Sequence, residues 1–113
     1  MSDERFEELV ADALDTVPAA LMKRLDNVVV LVVDRPPNGN RRLLGLYEGY
    51  PLTERSHAYG AVLPDRISIF RRTILSICRT EEDVVRQVRI TVTHEIAHHF
   101  GISDERLHEL GWG

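Results

Sequence analysis

From Thr80 to Gly101 the sequence carries one uninterrupted helical pattern, and both of its ends are marked. Val84, Val85, Val88, Val92, Ile96 and Phe100 recur at the spacing that puts residues on one face of an α-helix. Thr80-Glu-Glu-Asp83 has the form of a capping box, with acids crowding the positive end of the helix dipole. Gly101 is a natural stop, because glycine reaches the left-handed conformation that closes a helix. A helix of about twenty residues is roughly 30 Å long, about the width of a small domain. In a chain of 113 residues the other elements must therefore be laid against it.

Those other elements read as a small sheet and short helices. Residues 3–14 suit a helix, capped by Ser2, with Phe6, Leu9, Val10, Ala13 and Leu14 on one face. Pro18 interrupts it, and a short helical stretch over 19–25 follows. Asn27-Val-Val-Val-Leu-Val-Val33 is an unbroken aliphatic run, the pattern of a strand buried on both faces. Pro36, Pro37, Asn38, Gly39 and Asn40 form a loop, and Leu43 to Glu48 make a second strand. The stretch at Gly49–Pro51 breaks that strand, and residues 53–63 favour no element. Arg66-Ile-Ser-Ile-Phe-Arg71 alternates polar and apolar residues, as a strand with one exposed face does. Residues 73–78 suit a short helix, and Ser103 caps another that runs through Leu110. The fold class expected is α+β: a small mixed sheet of about three strands on the long helix, flanked by short helices. One domain covers 1–113, and no internal repeat suggests a solenoid.

Composition narrows the function classes. With 43% hydrophobic and 28% charged residues the chain is an ordinary globular protein. No apolar run approaches the ~20 residues of a membrane span, and Met1 to Glu8 lack the basic and apolar regions of a signal peptide. The expectation is a cytoplasmic protein with no membrane partner. Cys78, the one cysteine, can form neither an internal disulfide nor a cysteine-only zinc cage and reads as a small buried hydrophobe. Ten arginines against six acids give residues 35–90 a net +4, inside a chain that nets −4. With no reading motif and an acidic whole, nucleic acid is not an expected partner, and the arginines read as a solvated face or local ion pairs.

The long helix ends in Thr93-His94-Glu95-Ile96-Ala97-His98-His99-Phe100-Gly101. His94 and His98 are four apart, so both imidazoles project from one face and can meet one ion. Neutral imidazole suits zinc at ~2.0–2.1 Å. Glu95, one step round the helix, stands beside such an ion, where a carboxylate takes a proton from an activated water. His-Glu-x-x-His arises by chance in roughly 2% of shuffled chains of this composition, so its context must carry weight. Here it lies in a well-marked helix, among apolar Ile96, Ala97 and Phe100. Gly101 three residues on lets the chain turn sharply and swing Asp104 back, giving the string HExxHxxGxxD. Glu105, His108 and Glu109 compete with Asp104, or with water, for the third position. His99 points about 100° away from His98 and reads as a supporting or surface residue.

This string resembles the metzincin clan of zinc metallopeptidases, whose pattern is HExxHxxGxxH with Asp replacing the last His in some members. More closely, the whole chain resembles the short bacterial zincin-like metallopeptidases, or minimal zincins. They end soon after the motif in a segment like Leu107-His-Glu-Leu-Gly-Trp112. The resemblance implies His94, His98 and Asp104 as zinc ligands, Glu95 as general base, and a peptide or protein substrate. The only methionines are Met1 and Met22, so the methionine turn of metzincins has no counterpart. Twelve residues after Gly101 leave little chain for a lower cleft wall, implying an open site of modest activity.

Two functions of different class follow. The first is a zinc-dependent peptidase whose substrate lies extended along a sheet edge. The second is a non-catalytic zinc-stabilised module that binds a partner protein, against which the presence of Glu95 argues. His57 and Tyr59 read as loop residues, with an oxyanion role as the alternative. Ile67 and Ile69 are candidates for the strand that pairs with substrate, and Trp112 for a cover over apolar surface near the terminus.

Overall fold

A computed structural model of the chain describes residues 1–25, 27–49 and 64–112. Its elements run α1 (Asp3–Asp15), α2 (Ala19–Met22), β1 (Val28–Val33), β2 (Gly45–Glu48), β3 (Asp65–Phe70), α3 (Arg71–Ser76), α4 (Glu81–His99) and α5 (Asp104–Glu109). Tight helical turns at Lys23–Leu25 and Pro37–Gly39 connect them.

Helix α4 forms as its sequence dictates. Thr80 Oγ1 accepts from Asp83 N at 3.0 Å, and Asp83 Oδ2 accepts from Thr80 N at 3.2 Å and Arg79 N at 2.9 Å. The box thus occupies donors that the first turn would otherwise leave unpaired. Val84, Val88, Val92 and Ile96 are buried in one core with Phe6, Leu9, Val10 and Ala13 of α1. At the other end Ile102 N donates to Ala97 O and Gly101 N to His98 O, with Gly101 at φ +74°. This is a Schellman motif, and it reverses the chain. Gly111 repeats it after α5, folding Trp112 onto the core as expected.

The sheet has the order β1-β3-β2, with β1 parallel and β2 antiparallel to β3. Its inner face carries Val28, Val30, Val32, Ile67, Ile69 and Tyr47 toward the helices. Two expectations are corrected here. The aliphatic run of β1 is an edge strand whose alternate residues are exposed, Leu31 at 44%. The alternating β3 is the central strand, and Ile67, Ser68, Ile69 and Phe70 are all buried. A hydropathy pattern records how apolar a strand is, whereas burial also depends on its place in the sheet. Ser68 is covered because Leu31 and Leu46 flank it in register. Ile67 and Ile69 consequently belong to the core and offer no pairing edge.

Gly45 brings the sheet close to α4. A Cβ there would lie 2.6 Å from Thr91 Cγ2 and 3.0 Å from the Ser68 carbonyl oxygen. Among the described residues, no helix is long and apolar enough to cross a membrane.

Candidate metal centre

The last two turns of α4 present His94 and His98 on one face, with ring centroids 6.0 Å apart and planes tilted by 30°. Two imidazoles on one tetrahedral ion would have centroids about 5 Å apart, so the observed pair is roughly an ångström wider. The Schellman turn then delivers Asp104, the first residue of α5, whose N-cap Ser103 accepts from Arg106 N at 3.1 Å. Asp104 Oδ1 stands 3.2 Å from His98 Nε2. A tetrahedron with arms of ~2.1 Å has edges of about 3.4 Å, so this donor pair has the spacing of two ligands to one zinc. Both side chains are open to solvent, at 56% and 68% exposure. Among the described residues no three His, Cys, Asp or Glu side chains are gathered as a ready cluster. What the fold brings together is the His98–Asp104 pair, with His94 one turn behind.

The competitors for the third position lie elsewhere. Glu109 pairs with Arg106 at 3.0 Å, and Glu105 and His108 are exposed on α5. His99 leaves the His94–His98 face, as its position on the helix requires. It stacks on Tyr47 at 3.8 Å and meets Phe100 edge-on at 5.0 Å. It is a packing residue. His57 and Tyr59 lie outside the described residues.

Glu95 is half-buried and accepts a hydrogen bond from Tyr47 N at 3.0 Å. Sheet geometry explains why that donor is available. Phe70 N donates to Leu44 O, and hydrogen bonding alternates along an antiparallel pair. Tyr47, three residues along from Leu44, therefore turns its N–H away from β3, toward the side of β2 on which no described strand lies. Glu95 occupies that donor from below. Tyr47 is itself held, its hydroxyl donating to Asp65 Oδ2 at 2.8 Å and its ring lying on His99. Sequence reading missed Tyr47. The only local signal was its inward position in a short strand, since its partners are 18 to 52 residues away.

Cys78 packs against the core, and burial pushes its thiol above the usual range. A thiol so shifted is little ionised near neutral pH.

A family profile described as zincin-like metallopeptidase matches residues 25–112. Among solved structures, a conserved hypothetical protein from Thermus thermophilus is 26% identical, with a TM-score of 0.58. The match covers 88% of this chain and 94% of that one. No curated protein matches the sequence.

Proposed function

Because the chain belongs to the zincin-like metallopeptidase family, we propose that it is a zinc-dependent peptidase in which His94, His98 and Asp104 hold the metal and Glu95 is the general base. The observation that carries this reading is the approach of Asp104 to within 3.2 Å of His98, across the turn that ends α4. Two imidazoles and a carboxylate are a donor set that suits zinc and leaves a fourth position open. When bound, zinc supplies Lewis acidity, polarising a carbonyl and making a water acidic near neutral pH.

The chain's own residues supply the remaining chemistry. Glu95 takes the proton from the attacking water and returns it to the leaving amine. Its carboxylate rests on the Tyr47 N–H, on the side of β2 where no described strand pairs. An extended peptide pairing on that side would use the same N–H. Substrate binding would then release Glu95 for proton transfer. The openness of His98 and Asp104 limits water exclusion, so turnover is expected to be modest. The rival reading, a purely structural zinc module, calls for a fourth protein ligand and has no use for a carboxylate placed at a strand edge.

The test is zinc content by elemental mass spectrometry, with cleavage of unstructured peptides, in wild type, Asp104→Ala and Glu95→Gln. Wild type and Glu95→Gln should carry near-stoichiometric zinc, and Asp104→Ala much less. Hydrolysis should fall about 10²–10⁴-fold in Glu95→Gln. A wild type that takes up no zinc after reconstitution would overturn the proposal.

A further inference from the structure

A cleft lies at the end of the sheet remote from α4's histidines, where parallel strands β1 and β3 both end. It has a volume of about 510 Å³, and its walls include Arg35, Asn40, Arg41, Arg72, Thr73 and Ser76. The register separates it from the metal centre. Tyr47 pairs with Ile67, whereas the cleft begins beyond Phe70, three residues or about 10 Å further along β3.

The charge around this cleft does not balance. Asp34 is the acid shared by its arginines: Oδ1 accepts from Arg71 Nη2 at 2.8 Å and Oδ2 from Arg72 Nε at 2.9 Å. Arg35 Nε is 3.9 Å from the same Oδ2, and Arg71 also meets Asp3 at 3.1 Å. Arg41 makes none of the ion pairs among the described residues. The cleft wall thus carries three guanidiniums, no carboxylate of its own, and two hydroxyls. Each guanidinium has five N–H donors in a planar fork, far more than one shared carboxylate can accept. The arginines read from sequence as a solvated face or local ion pairs do form ion pairs here, Arg35, Arg71 and Arg72 with Asp34, and Arg35, Arg41 and Arg72 also line this cleft. Its volume is that of a small-molecule site.

We propose that this cleft binds a doubly charged oxyanion group, a phosphate monoester or a dicarboxylate, clasped between Arg41 and Arg72. The two charges answer the excess of guanidinium, and the Thr73 hydroxyl adds a donor, while the Ser76 hydroxyl, which donates to the Thr73 carbonyl at 2.6 Å, can only accept from a ligand's O–H. The site is independent of the peptidase reading and stands or falls separately from it.

The experiment is an amide NMR titration of the full chain with inorganic phosphate and, separately, with succinate, at fixed ionic strength. Saturable shifts confined to residues 35–41 and 72–76 are expected for at least one of them. A phosphate response alone assigns the phosphate class, a succinate response alone the dicarboxylate class, and both support the site. Arg41→Gln, which removes no internal ion pair, should weaken binding about tenfold or more. Arg89→Gln, on α4 away from the cleft, should leave it unchanged. Shifts that fail to saturate, that centre on residues 94–104, or that weaken equally in Arg89→Gln would overturn the proposal.

Discussion

A methyl group at position 45 has nowhere to go. It would press on Thr91 Cγ2 at 2.6 Å and on the Ser68 backbone oxygen at 3.0 Å, and backbone cannot step aside as a side chain can. Gly45→Ala should cost about 1–3 kcal/mol in denaturant unfolding and lift β2 from α4. Glu95 would lose its Tyr47 donor with it. Adding Thr91→Ser removes the closer contact and should recover part of the loss, leaving the part owed to Ser68. Two hydroxyls on α4 offer a contrast, since Thr91 Oγ1 and Thr93 Oγ1 are buried with no hydrogen-bond partner among the described residues. Thr93→Val keeps the shape and removes the unpaired oxygen, so a rise of about 1 kcal/mol in stability is expected by the same measurement. Gly101 and Gly45 show what was legible at this scale. Gly101 announces itself because a helix pattern stops there. Gly45 is constrained by residues 23 and 46 positions away, which no local pattern can reveal.

At the scale of elements, α4 was legible because its determinants are local: a cap, a periodic face and a stop. Its N-terminus should also make stability sensitive to acid. The backbone N–H of Arg79, then the Arg86 side chain and the Thr80 N–H, hold the Asp83 carboxyl below its ordinary value, against an opposing desolvation. Arg5 holds Glu81 down in the same way. A carboxyl depressed in the folded state stabilises above its unfolded pKa of about 4, and that contribution is lost as pH falls through the lower folded value. Urea midpoints of wild type and Asp83→Asn should therefore differ at pH 6 and converge as pH drops below about 4. The sheet was less legible because strand order is set by long-range pairing. The parallel crossover from β1 to β3 made the greasier strand the edge and the alternating one the centre. Substitutions can weigh that reversal. Leu31→Thr on the exposed face of β1 should change stability by no more than about 0.5 kcal/mol, whereas Ile69→Ala in β3 should cost about 2–5 kcal/mol.

Across the whole molecule, the proposed ligands join two separately anchored parts. His94 and His98 ride on α4, which is packed between α1 and the sheet. Asp104 rides on α5, which docks through the fully buried Leu107 and is followed by Trp112. The spacing of HExxHxxGxxD made the His98–Asp104 approach legible, since a glycine-centred reversal after the helix brings those two residues together. The Tyr47 support for Glu95 was not legible, because it depends on the register of β2 against a strand far along the chain. A metal held across both parts binds the folded chain and not the unfolded one, so it must stabilise the fold by mass action. At free zinc a hundredfold above its dissociation constant the gain is about 2.7 kcal/mol, which for a chain of this size is a rise of roughly 10 °C in Tm. Glu95→Gln, which alters no proposed ligand, should show the same rise even where hydrolysis is gone. Asp104→Ala keeps both histidines but loses the link to α5, so its rise at the same zinc concentration should be much smaller. A chelator should return wild type and Glu95→Gln to their metal-free melting temperatures. If zinc moved all three proteins equally, the ion would be held by the histidines alone, and Asp104 would be a hydrogen-bond partner of His98 rather than a ligand.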